Sequence, residues 1–157
     1  MNSLPYEIDA YNPWLVEGYK LFSEKGIQGL KIEVMANNLN KSRSSFYHAF
    51  LDLEIYVDSF LDSHIKRGEL LSQLLDNCQK LDPEIIELFI IYKQDILFNK
   101  QLFLDSGNKK FMIVGNIVNT NILTHLLPHF AKYLLLENQS AVAKYFLNFK
   151  KINFYLL

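Results

Sequence analysis

The sequence predicts an all-α protein, and three observations support this prediction. Apolar residues recur three and four positions apart over most of the chain, as they do on the buried face of an amphipathic helix. Pairs that favour the start of a helix, Asn12-Pro13 and Asp82-Pro83, precede two of these stretches. Six glycines and four prolines are few interruptions for 157 residues, and no segment gives a clear strand signal. We therefore expect a three-helix head, joined by a long helix to a C-terminal helical bundle.

Caps and turns place the first two helices of the head. The first helix is predicted over Pro13–Lys25, because Asn12 can cap its start and Gly26 can adopt the left-handed backbone that often ends a helix. The second helix is predicted over Ile32–Leu39, where apolar residues at i, i+3, i+4 and i+7 share one face. Asn40 follows, and asparagine tolerates the left-handed conformation that a tight turn often needs.

A short third helix and a long fourth helix come next. Ser42 can cap the third helix, and Asp52 can cap the fourth, which is predicted to reach about Leu75. The apolar side of the third helix consists of Phe46, Ala49 and Phe50.

The remaining chain is predicted to form three more helices. The helix over Pro83–Phe98 is apolar almost all round, which is typical of a helix in the middle of a bundle. Asp105–Asn108 is predicted to be a loop, and the next helix runs over Lys110–Leu127 with an interruption near Pro128. A turn at Asn138–Ser140 precedes a final amphipathic helix.

Composition and charge exclude several classes of protein. Half of the residues are hydrophobic, so a folded core is expected, and the single Cys78 excludes an intramolecular disulfide framework. Residues 1–50 carry no net charge, so nucleic-acid binding would depend on a local cluster and not on a general basic field. Phe111–Ala131 lacks charges but contains too many polar residues for a membrane span. The first residues lack the features of a signal peptide, so a cytoplasmic protein is expected.

Polar side chains are concentrated on the third helix, opposite its apolar side. Two short helices joined by a tight turn, the second of them rich in hydrogen-bonding groups, form the unit by which a helix-turn-helix protein reads duplex DNA. Arg43 is the strongest candidate for sequence reading, because a guanidinium can donate two hydrogen bonds to the major-groove edge of guanine. Each candidate could instead be an ordinary solvated side chain. The candidate DNA-binding residues are Lys31, Lys41, Ser42, Arg43, Ser44, Ser45, Tyr47 and His48.

The stretch Leu15–Tyr56 resembles the TetR-type transcriptional regulators. The shared features are Leu21-Phe22 before Glu24-Lys25-Gly26, Met35-Ala36, Asn40, Ser42, Phe46-Tyr47-His48, Phe50 and Glu54. The resemblance implies a DNA-binding head, residues 1–50, and a ligand-binding and dimer-forming domain, residues 51–157. It also implies that Ser42–Ser45 enter the major groove and that Tyr47 and His48 contact phosphates.

The chain departs from the family pattern at four places. Lys41 replaces a small apolar residue of the turn, and its ammonium is expected to extend into solvent, where it can add a phosphate contact. Leu53 stands where a lysine usually reaches DNA, and Lys31 stands where a threonine usually caps the second helix. The chain is also one long helix shorter than is usual, which fits a naturally short member, a truncated one or a bundle that dimerises differently. Its apolar end, residues 152–157, is expected to pack against another surface, and a second subunit is one candidate.

A few polar residues lie among aromatic ones in the second half of the chain, as in a small-molecule pocket. The candidate ligand-binding residues are Phe89, Tyr92, Asn116, Asn119, Thr120 and His125, with Phe103 and Phe111 in the wall. The alternative is that the aromatic residues form a core and the polar ones face solvent or a partner. His125 and His129 have the spacing of metal ligands, but Pro128 lies between them and no further ligand is near, so no metal is expected.

These observations favour a ligand-responsive transcriptional regulator, a dimeric repressor of a near-palindromic operator. Its expected partners are double-stranded DNA, a second copy of the chain and a small-molecule effector, with no membrane and no cofactor. The alternative is a helical interaction module whose helix-turn-helix head has lost affinity for DNA, as the neutral head and Leu53 would suggest. An enzyme is not expected, because the sequence contains no nucleophile elbow, phosphate-binding glycine loop or metal motif.

Overall fold

The computed structural model describes residues 12–105 and 107–133, and every regular element within them is helical. The all-α prediction is therefore confirmed for this part of the chain. The elements are α1 (Pro13–Lys25), a 3-10 turn (Gly26–Gly29), α2 (Ile32–Asn38), α3 (Arg43–Ala49), α4 (Leu53–Asn77), a short π-helical turn (Leu81–Ile85), α5 (Ile86–Ile91), α6 (Lys93–Leu104) and α7 (Lys109–Tyr133). The predicted turn at residues 138–140 and the final helix lie outside the described residues. None of the described helices combines the length and the apolarity that crossing a membrane requires.

The predicted caps form as expected. The side-chain oxygen of Asn12 accepts a hydrogen bond from the backbone of Trp14 at 3.0 Å, and Asp52 accepts one from Ile55 at 2.8 Å. Gly26 ends α1 with a φ of 63°, and Asn40 has a φ of 51°, so both adopt the left-handed backbone that the sequence predicted. Local sequence thus fixes where α1 and α4 begin and how α1 ends.

One aromatic core joins α1 to the rest of the fold. Phe22 of α1 lies 4.4 Å from Phe98 of α6, 5.4 Å from Phe60 of α4 and 5.5 Å from Phe111 of α7, measured between ring centroids. We call α1–α3 the head. Since the head shares this core with α4, α6 and α7, packing does not stop at the predicted domain boundary after Phe50.

The head is held on the long helix by Tyr56. This side chain of α4 is fully buried, and its hydroxyl donates a hydrogen bond to the backbone oxygen of Trp14 at 2.7 Å. Its ring lies directly over Gly18, where even a methyl group would have no room. The contact between α1 and α4 therefore depends on the smallest residue facing one of the largest.

The single helix predicted over Pro83–Phe98 is wrong. The helix breaks at Tyr92, whose φ of −90° and ψ of 17° separate α5 from α6, and α6 continues to Leu104. The expectation that this segment lies in the middle of the bundle fails for α5, which has no buried residue and whose Ile90 is 66% exposed among the described residues, whereas Phe98 of α6 is fully buried in the main core. Tyr92 itself is buried beside Leu71 and Leu126, at the point where α5 ends and α6 begins.

The predicted interruption of the last described helix near Pro128 is wrong as well. α7 runs through Pro128 to Tyr133. A proline inside a helix removes the hydrogen bond to the carbonyl four residues earlier, here that of Thr124. Thr124 and Pro128 are both exposed, so water can satisfy that carbonyl and the helix continues.

Candidate functional site

A tight turn joins α2 to α3. It contains Asn40 in its left-handed conformation, and the backbone of Lys41 donates a hydrogen bond to Ala36 at 2.9 Å, which closes the turn. Ser42 then caps α3, because its hydroxyl oxygen accepts from the backbone of Ser45 at 3.3 Å. The predicted order of helix, turn and capped second helix is therefore present in the structure.

Phe46 fixes the orientation of α3. Its ring is fully buried and makes edge contacts with Trp14 of α1 at 5.3 Å and with Tyr56 of α4 at 5.1 Å. Phe50 packs beside it at 5.5 Å. Since this side of α3 is turned into the core, its opposite side faces away from the head.

The eight predicted DNA-binding residues lie between Lys31, just before α2, and His48, near the end of α3. Seven of them are exposed and Ser45 is half-buried; the exposed ones are Lys31, Lys41, Ser42, Arg43, Ser44, Tyr47 and His48. Tyr47 is 52% exposed although its ring packs edge-on against Phe46 at 5.5 Å. These side chains are accessible to solvent.

The three serines are not equivalent. The hydroxyl of Ser45 donates to the backbone oxygen of Ser42 at 2.7 Å, and the Ser42 hydroxyl caps the helix. Ser44 is exposed and lies 2.8 Å from the Ser42 hydroxyl. Ser42 and Ser45 therefore stabilise the start of α3, and Ser44 is the serine that has more freedom to bind an external group.

The predicted departures from the family pattern have structural consequences. Lys31 occupies the N-cap of α2 and makes no side-chain cap bond, so the predicted loss of that cap is confirmed. Lys41 is exposed, as expected for a lysine in the turn. Leu53 is partly buried against the main core, so this position serves packing.

Arg43 makes an ion pair that was not predicted. Its Nη1 lies 2.6 Å from Oε1 of Glu33, and the two side chains are 65% and 71% exposed. Glu33 belongs to the first turn of α2. Ten positions separate the two residues, and no sequence pattern indicated that the turn would bring them together.

A groove of about 300 Å³ lies among α4, α5, α6 and α7. Two of the predicted ligand-binding residues, Phe89 and Asn119, line it. Its other polar residues are His64, Asp95 and Asn99, and the remainder of the wall is mostly apolar. This combination is suited to a small, largely apolar molecule with one or two hydrogen-bonding groups.

The other four predicted ligand-binding residues lie elsewhere. Asn116 and Thr120 are exposed on α7, and Tyr92 is buried in the core cluster near the end of α4. His125 lies at the surface, where its Nδ1 is 2.7 Å from a carboxylate oxygen of Asp76. The structure thus gathers only two of the six predicted residues at the groove.

A buried polar network connects this groove with the head. Asp95 receives hydrogen bonds from the hydroxyl of Tyr19 at 2.7 Å and from Nε and Nη2 of Arg67 at 2.5 and 2.8 Å. The same hydroxyl lies 2.6 Å from Nδ1 of His64, whose Nε2 is 3.2 Å from Asn99. Tyr19 belongs to α1, and Asp95 lines the groove. Their hydrogen bond therefore connects the groove directly to a helix of the head.

The environment sets the charge of each member of the network. Burial lowers the pKa of His64 to about 4, against the opposing effect of Asn99, so the imidazole is neutral at pH 7. Burial and the nearby Asp95 carboxylate raise the pKa of Tyr19, which keeps its hydroxyl protonated. Burial alone would lower the pKa of Arg67, but its hydrogen bonds and charge contacts outweigh this effect and the pKa is raised. The charged centre is therefore the Arg67–Asp95 pair.

Sequence reasoning did not predict this network. Its members Tyr19 and Asp95 are 76 positions apart, and each lies on an amphipathic helix where a solvated side chain is the simpler interpretation.

A scan against protein-family models matched no family, and searches of curated proteins and of solved structures found no match to this chain.

Proposed function

We propose that this chain is a DNA-binding transcriptional regulator whose α3 reads the major groove. The observation that carries the proposal is the orientation of α3. The buried Phe46 holds one side of the helix in the core, and seven of the eight predicted DNA-binding residues are exposed on α3 or close to α2 in sequence. A capped helix held in this way after a tight turn suits insertion into a groove about 12 Å wide.

The distribution of roles on the surface supports sequence-specific binding. Lys31 precedes α2 and Lys41 follows it, so each end of this helix carries a positive charge that suits contacts with phosphates. Arg43 and Ser44 lie in the first turn of α3, the part of a recognition helix that contacts base edges. Tyr47 and His48, about one helical turn further on, are the candidates for further phosphate contacts.

The regulator is proposed to act as a homodimer. Two copies of α3 would then lie about 34–36 Å apart and occupy successive major grooves on one face of the duplex. The operator is accordingly expected to be nearly palindromic. The regulator is expected to repress transcription, because a dimer bound to an operator blocks access of the transcription machinery to the DNA.

A small-molecule effector is proposed to bind in the groove beside His64 and Asn99. A ligand that favours a different arrangement of α4, α6 and α7 would shift the population of head positions in the dimer. Tyr19 provides the connection, since it contacts Asp95 at the groove and belongs to α1. The carboxylate of Asp95 at the groove is paired with Arg67, and the other polar groups of the wall are the neutral His64 and the amides of Asn99 and Asn119, so an uncharged effector is favoured.

Binding to duplex DNA tests the proposal. We would measure affinity for a random duplex at low salt, and then select bound sites from a random library while determining the oligomer mass. A DNA reader is expected to bind the random duplex at low salt and to enrich a near-palindromic site. Arg43→Ala is expected to relax base preference at one position in each half-site.

The same experiment separates the proposal from its alternative. A helical interaction module with an inactive head would not bind the random duplex even at low salt, and selection would enrich no site. Either result would overturn the proposed function. Glu24→Gln, which changes an exposed residue at the opposite end of α1 from its capped start, controls for nonspecific effects of surface charge.

A further inference from the structure

The ion pair between Glu33 and Arg43 crosses the turn between α2 and α3. Glu33 stands in the first turn of α2, and Arg43 is the first residue of α3. Their side-chain atoms meet at 2.6 Å, while both side chains remain largely exposed. The pair therefore lies at the surface where α3 would meet DNA.

We propose that Glu33 is a positioning residue that holds the Arg43 guanidinium for base reading and so contributes to sequence specificity. The inference rests on the proposed function, and it adds an acidic residue to a site described so far by its cations and hydroxyls. Glu33 itself would touch no base and no phosphate.

The geometry leaves the reading edge of Arg43 available. A guanidinium has five N–H donors, and Glu33 engages the terminal nitrogen Nη1. The edge formed by Nε and the other terminal nitrogen stays available for a two-bond contact with guanine. Glu33 and a base can thus bind the same guanidinium at the same time.

Charge explains why a positioning residue is useful here. An arginine side chain has many rotamers, and an unpaired guanidinium near DNA is attracted by any phosphate, whatever the sequence. A carboxylate beside Arg43 restricts those rotamers and is itself repelled by phosphates. Glu33 therefore disfavours the nonspecific position of Arg43 more than the specific one.

A second interpretation of Glu33 gives a different result. A carboxylate in the first turn of a helix interacts favourably with the helix dipole, and this alone would stabilise α2. In that case, replacing Glu33 would alter stability and leave base preference unchanged. The readout must therefore be a specificity ratio, with the thermal midpoint recorded alongside.

The test compares the wild type, Glu33→Gln, Arg43→Ala and the double variant. For each, we would measure the affinity for the selected operator, for the same duplex with the Arg43-dependent base pair changed, and for random duplex. Glu33→Gln is expected to reduce the ratio of the first two affinities about two- to fivefold, the range for an exposed ion pair. It is also expected to raise the affinity for random duplex and to steepen its salt dependence, because a negative charge is removed.

The Arg43→Ala background shows whether Glu33 acts through Arg43. There, Glu33→Gln is expected to leave the affinity ratio unchanged. Glu24→Gln removes the same charge elsewhere in the head, from an exposed residue that forms no ion pair within the described ranges, and its ratio is expected to match the wild type.

The outcomes separate this inference from the proposed function. If the wild type selects no site, the proposed function fails and the inference falls with it. If the wild type selects an operator and Glu33→Gln retains the full affinity ratio, the inference alone is overturned. The inference is also overturned if Glu33→Gln changes the ratio equally in the Arg43→Ala background.

Discussion

Replacing Gly18 with alanine tests how α1 is held on the long helix α4. In an exposed helix interior, this change is expected to stabilise the protein by about 1 kcal/mol, because alanine favours the helix more than glycine. In this fold, the new Cβ would lie 1.5 Å from the hydroxyl oxygen of Tyr56 and 2.7 Å from its Cζ. The structure therefore reverses the expected sign.

The size of the destabilisation follows from the packing and the hydrogen bond that Tyr56 loses. The ring is fully buried and has to move, which costs about 1–3 kcal/mol for overpacking a closely packed core. Its hydroxyl then loses the 2.7 Å hydrogen bond to Trp14, and leaving buried polar groups unsatisfied costs about 1–3 kcal/mol. After subtraction of the helix preference of alanine, about 1 kcal/mol, the net destabilisation is about 3 kcal/mol, within a range of roughly 1–5.

Urea unfolding at 25 °C measures this change. Trp14 is the only tryptophan and is 3% exposed, so its fluorescence reports on the head, and circular dichroism reports on the helices as a whole. Gly107→Ala is the control, because no atom of the described residues, apart from its two chain neighbours, lies within 4 Å of a Cβ there, and the change is expected to stay within about 0.5 kcal/mol. Equal or greater stability of Gly18→Ala than of the wild type would refute the packing argument.

Three further predictions concern the polar network and the DNA-binding surface. The pKa of His64 is about 4 in the folded chain and about 6.5 in the unfolded chain. Between these pH values the unfolded chain binds more protons. The contribution of His64 to the free energy of unfolding is therefore fully present above pH 6.5 and falls by about 3 kcal/mol as the pH drops to 4. His64→Gln is expected to remove that part of the loss, measured by urea unfolding at pH 7 and pH 4. Asp95→Asn removes the carboxylate that pairs with the mostly buried Arg67 and is expected to destabilise the fold by about 3 kcal/mol. Lys41→Ala and Tyr47→Phe are expected to weaken DNA binding across all sequences, and for Lys41→Ala the slope of log affinity against log salt should flatten by about one unit.

Each of these predictions has a result that contradicts it. The same loss of stability between pH 7 and pH 4 in His64→Gln would show that this histidine does not cause the pH dependence. Asp95→Asn within experimental error of the wild type would mean that the buried pair contributes little. An unaltered salt slope for Lys41→Ala would remove Lys41 from the interface, and Lys66→Ala, an exposed lysine of α4, is the control expected to leave the slope unchanged.

Local chemistry made much of the head predictable. Asn12, Ser42 and Asp52 cap helices because their side-chain oxygens reach backbone amides two or three residues later. Gly26 and Asn40 take left-handed backbone where the sequence required it. These interactions depend on neighbours along the chain, so reading the sequence was sufficient to find them and the exposed side of α3.

Predictions failed where distant parts of the chain decide the outcome. The segment 83–98 was expected to be one buried helix because it is apolar almost all round, but the helix breaks at the buried Tyr92 and α5 has no buried residue. Pro128 was expected to interrupt α7. Its position is exposed, so water can replace the lost backbone hydrogen bond at little cost in free energy. Hydrophobicity and residue type indicated a tendency in both cases, and packing determined the result.

The order of residues was thus enough to establish the helical class, the capped starts of α1, α3 and α4, and the set of polar residues on α3. The packing of the helices was needed to show that Glu33 meets Arg43, that Tyr19 meets Asp95, and that Phe89 and Asn119 share a groove. The difference arises from the range of the interactions. Caps and amphipathic spacing act within a few residues, whereas ion pairs, buried networks and grooves form between helices whose separation along the chain does not reveal their contact in space.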